Sequence, residues 1–281
     1  MNKMKLKSML ETFYLEDLGD GDVSSEILFS KSDEGSFSLF MKEQGVFCGR
    51  DVIEIGFSLM DPKVDVQVFA ADGDWVEAGQ SIAEIRGPMG ALLQGERVVL
   101  NLIQRMSGIA TATYLAVEQV KGTGVRLCDT RKTTPGLRML EKYAVRTGGG
   151  FNHRNGLYDA VMLKDNHISF AGSITEAVKQ VKRQIGHMVK VEVEIETKEQ
   201  LLEAIDAGAD VIMFDNCLPS TIKEWIHLVP PHIVTEASGG ITRESLQAYA
   251  GSGVHYISLG YLTHSVKSLD ISARVRIGKG V

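Results

Sequence analysis

Apolar positions near the start of the chain, Met4, Leu6, Met9, Leu10, Phe13 and Leu18, recur at close to helical spacing and predict a helix over 4–18. Residues 36–48 (SFSLFMKEQGVFC) and 64–70 (VDVQVFA) alternate and predict strands. GDWVEAGQSIAEIRGP (73–88) places Gly73, Val76, Gly79, Ile82 and Ile85 as in a hairpin of a lipoyl- or biotinyl-type carrier. Such a carrier needs a lysine at the tip, and none lies between Lys63 and Lys121, so an ordinary β-hairpin is expected. Leu92, Leu93, Val98, Val99, Leu102, Ile103, Met106 and Ile109 then recur at three- and four-residue steps. They predict one long helix or two over 91–120, with Gly108 as the break and the stripe used for core or subunit packing.

Beyond residue 122 the pattern becomes regular. Short apolar runs end in polar residues: VRLCDTRK, DAVMLKDN, VKVEVEI, ADVIMFDN, HIVTEASGG and VHYISLG. Helical patterns separate them, and the strand ends recur at steps of 21 to 35 residues. This alternation predicts parallel βαβ units, hence a barrel or a doubly wound sheet. Two features favour the barrel. Each run ends in a functional group (Asp129 and Arg131, Lys164, Glu194, Asp215, Glu236 and Ser238), as when one barrel face collects its chemistry from many strand ends. The last two runs enter glycine-bearing loops, Ser238-Gly239-Gly240 and Gly260-Tyr261, where such barrels bind phosphate. The expected class is α/β, and six visible strands suit a barrel that is incomplete or partly open.

Composition narrows the function. The 281 residues hold 30 Lys+Arg and 36 Asp+Glu, a net charge of −6, with 44% hydrophobic residues. This excludes a disordered or fibrous chain and argues against general nucleic-acid binding. Cys48, Cys128 and Cys217 lie far apart and suit a reduced compartment. Neither a secretory signal nor a membrane span is visible, so a cytoplasmic location is expected.

The charge is unevenly spread. Between 126 and 167 stand eight basic residues against four acids, a local +4, which leaves −10 elsewhere. Arg131, Lys132, Arg154 and Lys164 sit at or just after strand ends and call for a polyanionic ligand. The same charges would also occur as solvated pairs with Asp129, Asp159 and Asp165. TGGGFNHR (147–154) allows close backbone approach to a ligand and brings His153 and Arg154 into position, with Thr130, Thr133 and Thr134 nearby. Glu192 and Glu194 lie two apart on one strand face, and Asp215 ends the next strand. Carboxylates inside a barrel must be paired or metal-bound, and hard oxygen ligands of this kind suit Mg²⁺. An internal ion pair with Lys164 is the alternative. Lys164 could also serve as a Schiff-base lysine in a barrel lyase.

DTRKTTPGLRMLEKYAVRTGGGFNHRNGLYDAVMLKDNHI (129–168) resembles the signature stretch of the quinolinate phosphoribosyltransferases, also called nicotinate-nucleotide pyrophosphorylases (carboxylating). The similarity extends in order through EDLGDGDVSS (16–25), GERVVLNLIQRMSGIAT (95–111), VEVEI (191–195), MFDN (213–216), EASGGIT (236–242) and LGYLTHSVKSLDIS (259–272). The resemblance implies an N-terminal α/β sandwich domain over 1–108, joined by a returning segment 266–281, and a partly open α/β barrel (TIM-like) over 109–265 carrying the active site. It implies transfer of the phosphoribosyl group of phosphoribosyl pyrophosphate to quinolinate with decarboxylation, using Mg²⁺, in de novo NAD synthesis. Quinolinate would be held by Thr130, Arg131, His153, Arg154 and Lys164, with Arg97 entering from the neighbouring subunit of a homodimer. Lys132, Glu194, Asp215, Ser238, Gly239, Gly260 and His264 would hold the phosphoribosyl donor. Glu194 and Asp215 would also bind metal, and Lys132, Lys164, Glu194 and Asp215 would carry the catalysis. The related pyrophosphorylase-like protein of molybdenum-transport operons tends to lack the NHR and KDNH pattern that is intact here. A catalytically silent anion-binding barrel is the remaining alternative.

Overall fold

Leu6, Leu10 and Tyr14 fall four residues apart and bury one face of α1 (Lys3–Leu18), while Met4 and Leu15 point to solvent. The computed structural model describes residues 1–275, which divide into two units. The first comprises Met1–Ala112, Met139–Gly148 and the chain from Val266 onward. After α2 (Val23–Leu28), capped by the Asp22 carboxylate, its strands are β1 (Glu34–Met41), β2 (Gly45–Val46), β3 (Asp65–Val68), β4 (Trp75–Val76) and β5 (Ser81–Pro88). An antiparallel sheet runs in the order final strand (Ile271–Val275), β1, β5, β3. Val52, Ile53 and Phe57 of α3 (Arg50–Met60) are buried, and Phe57 meets Phe37 of β1 edge to face at 5.6 Å. Of the segment 266–281, residues 276–281 lie outside the described residues.

Two local expectations change. The segment 73–88 is not a hairpin: β4 pairs with β2, whereas β5 pairs with β1 and β3. The eight-residue β5 finds a partner of matching length in β1 and buries Ile82 and Ile85, which a two-residue strand cannot offer. Gly108 does not break the helix. α4 runs unbroken from Met89 to Gln119, and a Cβ at Gly108 would collide with the Lys267 carbonyl and lie 3.1 Å from Ser268 Cα. The glycine therefore admits a crossing backbone. By its packing contacts the segment 139–148 groups with the first unit. They form most of α5 (Arg138–Thr147), whose Glu141 is buried in an ion pair with Arg105 at 2.6 Å. The Tyr143 hydroxyl donates to Asp72 at 2.7 Å.

The second unit, Thr113–Arg138 and Gly149–Ser265, holds the expected parallel strands. They are β6 (Arg126–Cys128), β7 (Val161–Leu163), β8 (Val191–Ile195), β9 (Val211–Asp215), β10 (Val234–Ser238) and β11 (Tyr256–Ser258). Their order is β6-β11-β10-β9-β8-β7, so β6 and β7 are the edges. Between them lie α6 (Asp165–Ala171), α7 (Ile174–Lys182), α8 (Lys198–Asp206), α9 (Pro219–Trp225) and α10 (Leu246–Ala250), and α11 (Tyr261–His264) follows β11. Residues following β6 and residues of β7 line the same cavity, so the sheet curls until its edges face one space. This is the partly open barrel.

Candidate active site

Register builds the cavity. Leu163 pairs with Val193, which sets Lys164 beside Glu194. Glu194 pairs with Met213, and Asp215 pairs with Ser238. Side chains two apart on each strand share a face, so these residues point inward together. The resulting cavity of about 570 Å³ is lined by Thr130, Arg131, Lys132, His153, Arg154, Lys164, Glu194, Asp215, Ser238 and Gly239, among others.

One end is built for an anion. Asp129 is fully buried and accepts from Asn152 Nδ2 at 2.6 Å and from the His153 backbone N–H at 2.9 Å. This carboxylate ties the loop carrying His153 and Arg154 to the end of β6. Arg154 donates through Nη1 to the Ala160 carbonyl at 3.2 Å, yet its Nε and that of Arg131 are buried without a partner. Burial and the neighbouring Arg131 both lower the Arg154 pKa. Two crowded guanidiniums with unmet donors are strongly favoured by a carboxylate-bearing ligand.

The acids stand in pairs with bases. Lys164 Nζ lies 2.5 Å from Glu194 Oε1. Burial raises the Glu194 pKa; Lys164 opposes that shift and the charge of Asp215 adds to it. Asp215 Oδ2 accepts from Asn216 Nδ2 at 2.8 Å. Deeper in the barrel, His153 Nε2 stands 3.0 Å from Glu192 Oε2 and 3.7 Å from Glu236 Oε1. Burial, then the charge of Glu192, pushes the Glu236 carboxyl up to about 7, against the pull of His153.

A second cavity, about 460 Å³, shares Thr130, Lys132, Ser238, Gly239, Gly240 and Ser258 with the first and extends to Arg243, Gly260, Tyr261 and His264. Gly239 has φ +92°, and a Cβ there would collide with the Asn216 side chain and sit 2.6 Å from its backbone N. Only glycine fits this turn.

Comparison with known proteins decides the family. The family model "Quinolinate phosphoribosyl transferase, C-terminal domain" matches residues 109–274, and its N-terminal counterpart matches 22–107. The chain belongs to the quinolinate phosphoribosyltransferase family. It is 58% identical over 277 residues (99% of this chain, 96% of the relative) to the probable nicotinate-nucleotide pyrophosphorylase [carboxylating] of Bacillus subtilis (strain 168). It superposes on NadC from Streptococcus pyogenes with a TM-score of 0.94 at 40% identity, covering 98% of each chain. For the nicotinate-nucleotide pyrophosphorylase from Francisella tularensis the TM-score is 0.93 at 34% identity, again over 98% of each chain.

Within this quinolinate phosphoribosyltransferase fold, most residues singled out from sequence converge. Thr130, Arg131, Lys132, His153, Arg154, Lys164, Glu194, Asp215, Ser238 and Gly239 line the first cavity, and Gly260 and His264 line the second. Arg97 is exposed on α4, in the first unit, and lines neither cavity. Gly148, Gly149 and Gly150 do not line the cavity either. Gly148 closes α5 through its N–H to the Ala144 carbonyl, and Gly149 takes a φ of +89°. The glycine run is a helix exit, and the loop beyond it supplies the ligand groups. Sequence reasoning missed the clamp role of Asp129 and the contacts of Glu192 and Glu236 with His153. The inward period of two marks Glu192, but nothing in the chain pairs it with a residue some forty positions earlier.

Proposed function

We propose that the chain transfers the phosphoribosyl group of phosphoribosyl pyrophosphate to quinolinate with decarboxylation, giving nicotinate mononucleotide, pyrophosphate and CO₂ in NAD biosynthesis. The observation that carries this reading is the pair of contiguous cavities: one with two under-satisfied arginines, the other walled by glycine turns, with Glu194 and Asp215 beside their shared rim. Quinolinate is a dianion and fits the arginine end. The 5′-phosphate of the donor fits the backbone of the Ser238–Gly240 and Gly260–His264 turns, the latter opening a short helix.

In this arrangement Arg131 and Arg154 grip the carboxylates and His153 adds a ring contact. The pyridine nitrogen then stands to form a bond with the anomeric carbon as the bond to pyrophosphate breaks. Positive charge grows on the sugar, and the Glu194 and Asp215 carboxylates stabilise it by fixed electrostatics. Lys132 and Lys164 meet the charge of the departing pyrophosphate. As CO₂ leaves, the electron pair of the broken C–C bond stays on the ring carbon, stabilised by the adjacent cationic nitrogen, and that carbon then takes a proton from solvent, so no protein base is required for that step. Mg²⁺ fits the donor set, since Glu194 and Asp215 are hard oxygen ligands close enough for their charges to interact. When bound, the ion would supply charge neutralisation to the pyrophosphate. Lys164 is committed to Glu194, which opposes the free amine that a Schiff-base lyase needs.

The reading extends to a homodimer in which Arg97 serves the neighbouring subunit's site, and to a cytoplasmic location. The three cysteines are free and buried, and among the described residues no helix is long and apolar enough to cross a membrane. The test is turnover of quinolinate with phosphoribosyl pyrophosphate and Mg²⁺, read as nicotinate mononucleotide. Turnover of nicotinate in place of quinolinate would overturn the substrate. Mixing inactive Arg97→Ala with inactive Lys164→Ala subunits should restore activity through hybrid sites; absence of rescue would remove the shared-site dimer.

A further inference from the structure

His153 sits on a loop without regular structure, yet both ends of the residue are anchored to buried acids. Its backbone N–H donates to Asp129 at 2.9 Å. Its ring Nε2 stands 3.0 Å from Glu192 Oε2 and 3.7 Å from Glu236 Oε1. Glu192 belongs to β8 and Glu236 to β10, two strands of one continuous sheet with β9 between them. Both carboxylates are at least 95% buried, and the Oε1 atom of each has no hydrogen-bond partner. Burying two acids this deeply costs several kcal/mol unless they are paired or hydrogen-bonded, and the basic ring facing both is that of His153. The three ligand atoms lie within 4.8 Å of one another, which is also a metal-ligand spacing. However, Arg131 and Arg154 open into the same cavity, and Nε2 already engages Glu192. The ring itself is what these acids are arranged around.

We propose that Glu192 and Glu236 are positioning residues that clamp the His153 imidazole from the barrel interior and so set the geometry of the quinolinate pocket. This rests on the proposed function. A ring held only by a loop would sample several rotamers, and each unproductive one would weaken binding of the pyridine dicarboxylate. A ring tied to rigid strands is preorganised. His153 lines the first cavity and not the second, so the effect falls on quinolinate rather than on the phosphoribosyl donor.

The test measures kcat and both KM values for the full chain and its variants. Glu192→Ala and Glu236→Ala should raise the quinolinate KM about tenfold, with kcat and the donor KM within about twofold of the parent. Glu192→Gln keeps an acceptor for Nε2–H and should restore the quinolinate KM to within about threefold. Glu192→Leu fills the space should the alanine variant not fold. In a His153→Ala background, Glu192→Leu should add nothing to the quinolinate KM. Unchanged quinolinate KM in the alanine or leucine variants, equal losses for both substrates, or additive losses in the double variant would each overturn the proposal. Failure of the parent chain to turn over quinolinate would instead remove the functional reading, so the two failures are separable.

Discussion

Glu236→Gln should remove a pH-dependent instability that the wild-type barrel carries. The carboxyl is 4% exposed, and burial together with the charge of Glu192 pushes its pKa from 4.5 up to about 7. A raised folded-state pKa means that the native chain binds this proton more tightly than the unfolded chain does. The group's stabilising contribution is therefore complete below about pH 4.5 and is lost as pH rises towards and through 7. At about 1.4 kcal/mol per pKa unit, the loss between pH 5 and pH 8 is about 2–3 kcal/mol. Glutamine keeps the volume and a hydrogen-bonding oxygen but cannot ionise. Urea unfolding of both proteins at pH 5, 6.5 and 8 reads the difference directly. The variant should gain on the wild type by about 2–3 kcal/mol across that range, with unchanged denaturant slope. Parallel pH profiles for the two proteins would show instead that Glu236 is ionised throughout, held so by His153, and that burial does not govern its titration.

Three further outcomes follow from the geometry. Gly239→Ala forces a side chain into a φ of +92° and against the Asn216 backbone, so it should cost about 2–4 kcal/mol in denaturant unfolding and raise the donor KM more than the quinolinate KM. Arg105→Met leaves Glu141, 1% exposed, without its 2.6 Å partner and should destabilise the first unit by about 3 kcal/mol, seen as a lower unfolding midpoint. Arg131→Lys keeps the charge but loses the planar fork, and it should raise the quinolinate KM at least about tenfold with little change in thermal stability.

The chain alone determined the parallel unit because its apolar runs are short, regularly spaced and end in polar groups, a pattern with few solutions once crossovers are right-handed. It also marked most of the cavity, since Lys164, Glu194, Asp215 and Ser238 end successive runs and a strand period of two turns them inward. The long motif from Asp129 to Ile168 named the family. What tertiary structure decided was pairing between distant segments. Whether Val76 meets Ile82 or Val46, whether Gly108 breaks a helix or admits Lys267, and which unit holds residues 139–148 all depend on competing partners far along the chain. The grip of Asp129, Glu192 and Glu236 on His153 is of the same kind. Local periodicity gives each side chain's direction, but only the closed packing of strands brings three acids from separate runs onto one residue.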